Sequence, residues 1–213
     1  VVDPVPDPVP DPVGEFADVV RVLQAQCPWK AAQTHRSLVR HLLEEAHETV
    51  EAIETGTPAD LREELGDLLM QVFLHTAIAE QAGDFTLDDV AREVTAKMVR
   101  RNPHVFGPDA GAAAGSLTPA EVNEVWEAAK AREKAHRTAL ADGIAPTLPA
   151  LLTADKVLDR MGRAGTDPAL ASVGDEDAGV GERLLALVAE ARVSGTDPEQ
   201  ALRAAVRRRL TPG

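Results

Sequence analysis

Apolar residues recur along this chain at a helical period, and nowhere do they alternate as in a half-buried strand. Phe16, Val19, Val20 and Leu23 stand at i, i+3, i+4 and i+7. Further on, helix starts are marked by caps. Thr57-Pro58, Thr118-Pro119 with Glu121, and Asp197-Pro198 with Gln200 each place a capping side chain before proline at the first helical position. Together these signals predict helices over residues 15–26, 34–55, 58–82, 86–100, 118–137, 148–162, 180–193 and 197–210, with no strand required. The expected fold class is therefore all-α, a helical bundle.

The stretches between helices read differently. "VVDPVPDPVPDPV" repeats DPVP, and its prolines remove backbone donors and block helix, so residues 1–14 are expected to form an extended, disordered tail. "QCPWKAAQT" breaks the first helical pattern, and "RNPHVFGPDAGAAAGSL" reads as a Gly- and Pro-rich loop. An internal echo is also visible. "GDLLMQVFLHTAIAEQAGDFTLDDVAREVTAKMVRR" resembles "GERLLALVAEARVSGTDPEQALRAAVRRRL": a Gly-acid start, an apolar helix, a glycine turn, a capped helix and a basic end. The second copy is incomplete, because nothing from Gly165 to Gly179 matches "LLEEAHETVEAI".

Bulk composition narrows the chemistry. The 213 residues suit one large domain, or one domain with a partial second. A net charge of −13 repels a nucleic-acid polymer or an anionic membrane, yet a small anionic substrate can bind where a divalent metal or a local basic cluster supplies positive charge. Cys27 is the single cysteine, which fits a reducing compartment. No apolar run approaches the roughly 20 residues that span a bilayer, and no export signal is evident, so the cytoplasm is the expected location.

The acids carry the chemistry. On a helix over 42–54, Leu42, Leu43, Ala46, Val50 and Ile53 form the apolar face, and Glu44, Glu45 and Glu48 fall together on another sector. Taken alone, that sector is a solvated surface. The next helix reads "LLMQVFLHTAIA" after Asp67, apolar on nearly every side, as in a helix enclosed by protein. Glu64 and Asp67 stand at i and i+3 near its start, and Asp67 shares a stripe with Leu74 and Ile78. A carboxylate drawn toward such an interior needs a partner or a metal. Two i, i+3 acid pairs on helices joined by a short Thr-Pro turn can face each other across an antiparallel hairpin. Their all-oxygen donor set favours Mg²⁺ or Mn²⁺, the ions of phosphate chemistry. Basic groups for such a substrate stand in "TAKMVRR", as Lys97, Arg100 and Arg101, with Lys97 and Arg101 at i, i+4. Trp126 and Lys130 repeat that spacing and could meet a base and a phosphate. A basic helix end that suits the macrodipole and a tryptophan that merely packs are the plainer alternatives. Glu44 and His47 form one Glu-x-x-His pair, but a di-iron bundle needs a second, and "ELGD" offers no histidine.

"CPW", "QTH", "LLEEAHE", "LREELGDLL", "KMVRRNPHVF" and "VWEAAKAREK", in that order over residues 15–137, resemble the MazG family of nucleoside triphosphate pyrophosphohydrolases. The resemblance implies an all-helical, Mg²⁺-dependent enzyme, dimeric through its helices, that cleaves nucleoside triphosphates to monophosphate and pyrophosphate. It implies Glu45, Glu48, Glu64 and Asp67 as metal ligands, with Glu44 adjacent and placed to engage a second ion or orient water. Lys97 and Arg101, with Arg100 beside them, would hold phosphates, and Trp126 and Lys130 would sit near the nucleotide. The expected domains are a tail over 1–14, a catalytic helical domain over 15–137, and a degenerate second MazG-like region over 138–213. One departure stands out: Lys30 follows "CPW" where the family commonly has aspartate. A catalytically weak helical nucleotide-binding or regulatory dimer and a sibling dUTP- or dCTP-preferring diphosphatase are the alternative functions.

Overall fold

The computed structural model describes residues 11–108, 117–134, 139–166, 168, 170, 173–175 and 177–210. Among these it contains helices only: α1 Pro12–Gln26, α2 Pro28–Ala31, α3 His35–Thr55, α4 Pro58–Ala82, α5 Leu87–Arg101, α6 Pro103–Phe106, α7 Pro119–Glu133, α8 Ala150–Arg163, α9 Val180–Val193 and α10 Pro198–Leu210. The all-α expectation holds.

The caps explain where the helices begin. Thr57 accepts from the Asp60 amide while Asp60 bonds back to Thr57 N, and Thr34–Ser37 and Thr86–Asp89 repeat the reciprocal arrangement. Residues 12–14, read from sequence as tail, belong to α1. Asp11 accepts from the Gly14 amide at 3.0 Å ahead of Pro12 at the first helical position, so the last Asp-Pro of the repeat acts as a helix start. Most of the tail reading, residues 1–10, lies outside the described residues. The breaks at "CPW" and "NPHVF" contain single helical turns, α2 and α6, each opened by proline.

The chain divides into two compact units, with the break between Trp126 and Glu127, inside α7. In the first, α3 and α4 pack as an antiparallel hairpin and α1 lies against α4. Ala17, Val20, Leu38, Phe73, Leu74 and Ala77 form its core, flanked by Phe16, Met70, Ile78 and Leu87. Phe16 meets Phe73 with ring centroids 5.1 Å apart. Arg21 and Glu80 tie α1 to α4 at 3.2 Å, and Glu80 also accepts from the Leu87 amide at the start of α5. That backbone bond first, and then Arg21, hold the Glu80 carboxyl below its ordinary range.

Two predicted faces are rotated. On α1 the buried residues are Ala17, Val20 and Gln24, while Val19 and Leu23 are exposed. On α3 they are Leu38, Thr49 and Ala52, whereas Leu42, Leu43 and Ile53 face outward. Small Ala17 and Ala52 allow close approach of the helices, and the bulkier apolar residues are left on the outside. The enclosure expected for α4 is likewise half met. Gln71, Phe73, Leu74 and Ala77 are buried, and Leu65, Leu69 and Val72 make an exposed i, i+4, i+7 stripe.

The second unit gathers α8, α9 and α10 around Leu158, Ala186 and Val188. Arg192 of α9 reaches Asp155 at 2.5 Å and Asp159 at 2.9 Å on α8. The sequence echo has a local counterpart. Gly83 after α4 and Gly195 after α9 both adopt left-handed backbone, at φ 77° and 70°, and each closes its helix with the same pair of carbonyl bonds.

Candidate metal centre

The rotation of α3 brings acid to the helix interface. Glu45 lies along the inward stripe that contains Leu38, Thr49 and Ala52, so it is half-buried, while its neighbour Glu44 is exposed. On α4, Asp67 heads the stripe through Gln71, Leu74 and Ile78, as the spacing predicted. The hairpin sets these stripes against one another. Glu45, Glu48 and Glu64 each bring one carboxylate oxygen within 4.8 Å of the others.

Their electrostatics fit a cation-binding cluster. Burial, then the charges of Asp67 and Glu48, push the Glu45 carboxyl above its ordinary value. Burial first, followed by Glu48 and Asp67, does the same to Glu64. Asp67 therefore stands close enough to act on both, although it lies outside the set of three oxygens. Ligand oxygens about 2.1 Å from an octahedral Mg²⁺ are about 3 Å apart when adjacent and about 4.2 Å apart when opposite. Three carboxylate oxygens within 4.8 Å of one another lie near these spacings. The residues thus fit a hard divalent cation.

Glu44 is placed differently. It takes a bond from His41 Nδ1 at 3.0 Å, and His41 stands edge-on to Trp29. Lys30, the departure in "CPW", lies over the Trp29 ring at 4.8 Å.

Among the basic candidates, Lys97 is half-buried in the last turns of α5 and Arg100 is exposed. Arg101 is buried, with its guanidinium over the Trp126 ring at 5.3 Å. The sequence separated these two into a phosphate ligand and a base-stacking residue; the fold brings them together. Lys130 belongs to the second unit, where it donates to Glu127 at 2.9 and 3.1 Å, and Glu127 also pairs with Arg163.

One residue at the cluster had no counterpart in the sequence reading. Gln71 is 2% exposed, and its Nε2 donates to Glu45 Oε1 at 3.5 Å. A polar residue recurring within the Asp67 stripe was the available signal.

Known proteins locate the same region. The MazG nucleotide pyrophosphohydrolase domain matches residues 33–106, which contain α3, α4 and α5. A Streptomyces cacaoi protein, "Uncharacterized 26.1 kDa protein in blaB 3'region", is 43% identical over 94% of this chain and 82% of its own length. The Thermotoga maritima "Nucleoside triphosphate pyrophosphohydrolase/pyrophosphatase MazG" is 34% identical over 85% of this chain and 75% of its own. A Mycobacterium tuberculosis "Nucleoside triphosphate pyrophosphohydrolase" is 44% identical over 67% of this chain but only 42% of its own length.

Proposed function

The chain belongs to the MazG family, and on that footing we propose that it hydrolyses nucleoside triphosphates to nucleoside monophosphate and pyrophosphate with a divalent cation at the α3–α4 carboxylates. The observation that carries the reading is the convergence of Glu45, Glu48 and Glu64 inside the segment that matches the family. Such an ion, Mg²⁺ or Mn²⁺, neutralises phosphate oxygens and lowers the pKa of bound water.

The protein's own residues supply the rest. Glu45, Glu48, Glu64 and Asp67 hold the ion between two helices whose packing fixes their spacing. Glu44, held by His41, orients water beside them. Lys97 and Arg101, with Arg100 next to them, meet the charge that spreads over phosphate oxygens as the anhydride bond breaks. Trp126 is the residue we assign to the nucleotide base. In this reading the second unit is a degenerate repeat. Its acids Asp155 and Asp159 are paired with Arg192.

A second copy of the chain is the partner that suits the outward apolar residues. Leu42 and Leu43 on α3 and Leu65, Leu69 and Val72 on α4 are exposed in the single chain, and a homodimer through these helices covers them. Among the described residues no helix is long and apolar enough to cross a membrane. The setting we assign is the cytoplasm, with no membrane or nucleic-acid polymer as partner.

Product analysis tests the function. Purified protein with Mg²⁺ and a panel of ribo- and deoxyribonucleoside triphosphates should release monophosphate and pyrophosphate in equal amounts, and chelation should stop it. Glu48→Gln and Asp67→Asn, which remove charge but almost no volume, should abolish turnover with the circular dichroism unchanged. Release of diphosphate and orthophosphate, or full activity in either variant, would contradict the assignment.

A further inference from the structure

We propose that Gln71 is a positioning residue for Glu45: its amide fixes how that carboxylate is presented to a divalent cation. The proposal rests on the metal-centre reading above.

Gln71 occupies a core position. It is 2% exposed in the middle of α4, one turn beyond Asp67, on the stripe that continues into buried Leu74. A buried amide costs free energy unless its donors and acceptor are bonded. Here the cost is only half offset. Nε2 donates to Glu45 Oε1 at 3.5 Å, and Oε1 of Gln71 is buried without a hydrogen-bond partner among the described residues. Methionine or leucine would fill the same space with no orphaned oxygen, so packing alone gives no reason for glutamine.

The contact itself gives one. Glu45 faces α4 with the charges of Glu48, Glu64 and Asp67 nearby. Repulsion among these acids turns an unrestrained carboxylate away from the very cluster that must close on an ion. An amide donor on one oxygen holds the group inward and leaves lone pairs for the cation. A lysine or arginine in that place would hold it too, but its positive charge would compete with the metal. The neutral amide orients without competing, which is the service that outer partners give to metal ligands generally. The orientation of the amide is itself determined: rotating it by 180° would set its oxygen against an ionised Glu45 oxygen.

Mn²⁺ titration of the full chain without nucleotide, read by electron paramagnetic resonance, is the test. Gln71→Met keeps the volume and removes the donor. The affinity should fall by about tenfold or more, while the melting temperature in chelator stays the same or rises, because the orphaned oxygen is gone. In a Glu45→Gln background the same substitution should change Mn²⁺ binding little, since there is no ionised carboxylate left to hold. Should Gln71→Met not fold, Gln71→Asn, which withdraws the amide by one methylene, carries the same expectation for Mn²⁺ affinity, though not for the melting temperature. Wild-type affinity in the folding variant overturns the proposal and leaves the metal centre standing. An equal further loss in the Glu45→Gln background also overturns it, because Gln71 would then act elsewhere. Mn²⁺ binding unaffected by Glu45→Gln overturns the metal-centre reading and this inference together.

Discussion

Glu45 joins burial and charge in one side chain of the cluster proposed to bind a cation. Burial first, and then Asp67 and Glu48, raise its carboxyl in the folded protein. A carboxyl raised by folding binds its proton more tightly in the native state, so its contribution favours folding below the unfolded value and is lost as pH rises through the folded value. Glu45→Gln should therefore raise the melting temperature of the metal-free protein at neutral pH. The gap should shrink as pH falls into the carboxylate range, where native Glu45 is itself neutral. Melts in chelator across pH check this, and a gap that is constant or reversed would contradict it. Lys97 and Arg101 separate a kinetic role from a structural one. Each alanine variant should lose about tenfold or more in kcat/KM, roughly 1.4 kcal/mol. Arg101→Ala should also lower the melting temperature, because Arg101 is buried against Trp126. Unchanged kinetics in both would leave only a basic helix end. Gln71 shows in the sequence only as a polar residue on the Asp67 stripe, and its partner Glu45 is identified once the facing helix is placed.

At the scale of helices, capping chemistry made most starts legible. Thr57, Thr118 and Asp197 each accept from the amide three residues on, as their sequence context predicts. The single turns α2 and α6 escaped because four residues carry no period. The inward face of α3 escaped for a different reason. Periodicity identifies an apolar face but not what covers it, and within one chain Leu43 and Ile53 are exposed while Thr49 and Ala52 are buried. Two glycines on α4 and its end should respond oppositely to alanine. Gly66 sits in mid-helix with open space where a Cβ would stand, so Gly66→Ala should stabilise by about 0.5–1 kcal/mol. Gly83 has equal space but φ 77°, so Gly83→Ala should cost about 1–2 kcal/mol. Denaturant titration of both variants decides it, and a shared sign would contradict the backbone argument.

The whole molecule divides its labour unevenly. Every residue assigned to the site in the first unit lies between Glu44 and Trp126, and among the described residues the second unit has no group of three metal-ligating side chains like that of the first. Truncation after Leu140 should thus leave a protein that still hydrolyses nucleoside triphosphates. A folded, dimeric truncation without activity, judged by circular dichroism and sedimentation, would show that the second unit contributes to the site. The acidic net charge and the paired carboxylates were legible from sequence as a metal-dependent phosphate site. Their facing each other across a hairpin was expected too, and Glu45, Glu48 and Glu64 do converge; that Asp67 lies outside the three was not legible, because it depends on how α3 and α4 turn their faces to each other. That convergence is the central claim. Crystals soaked in Mn²⁺ with a non-hydrolysable triphosphate, and the anomalous difference map at the manganese edge, test it most directly. The account predicts a peak between α3 and α4, liganded by Glu45, Glu48, Glu64 and Asp67. A peak held by other residues, or nucleotide bound with no peak at these carboxylates, would contradict it.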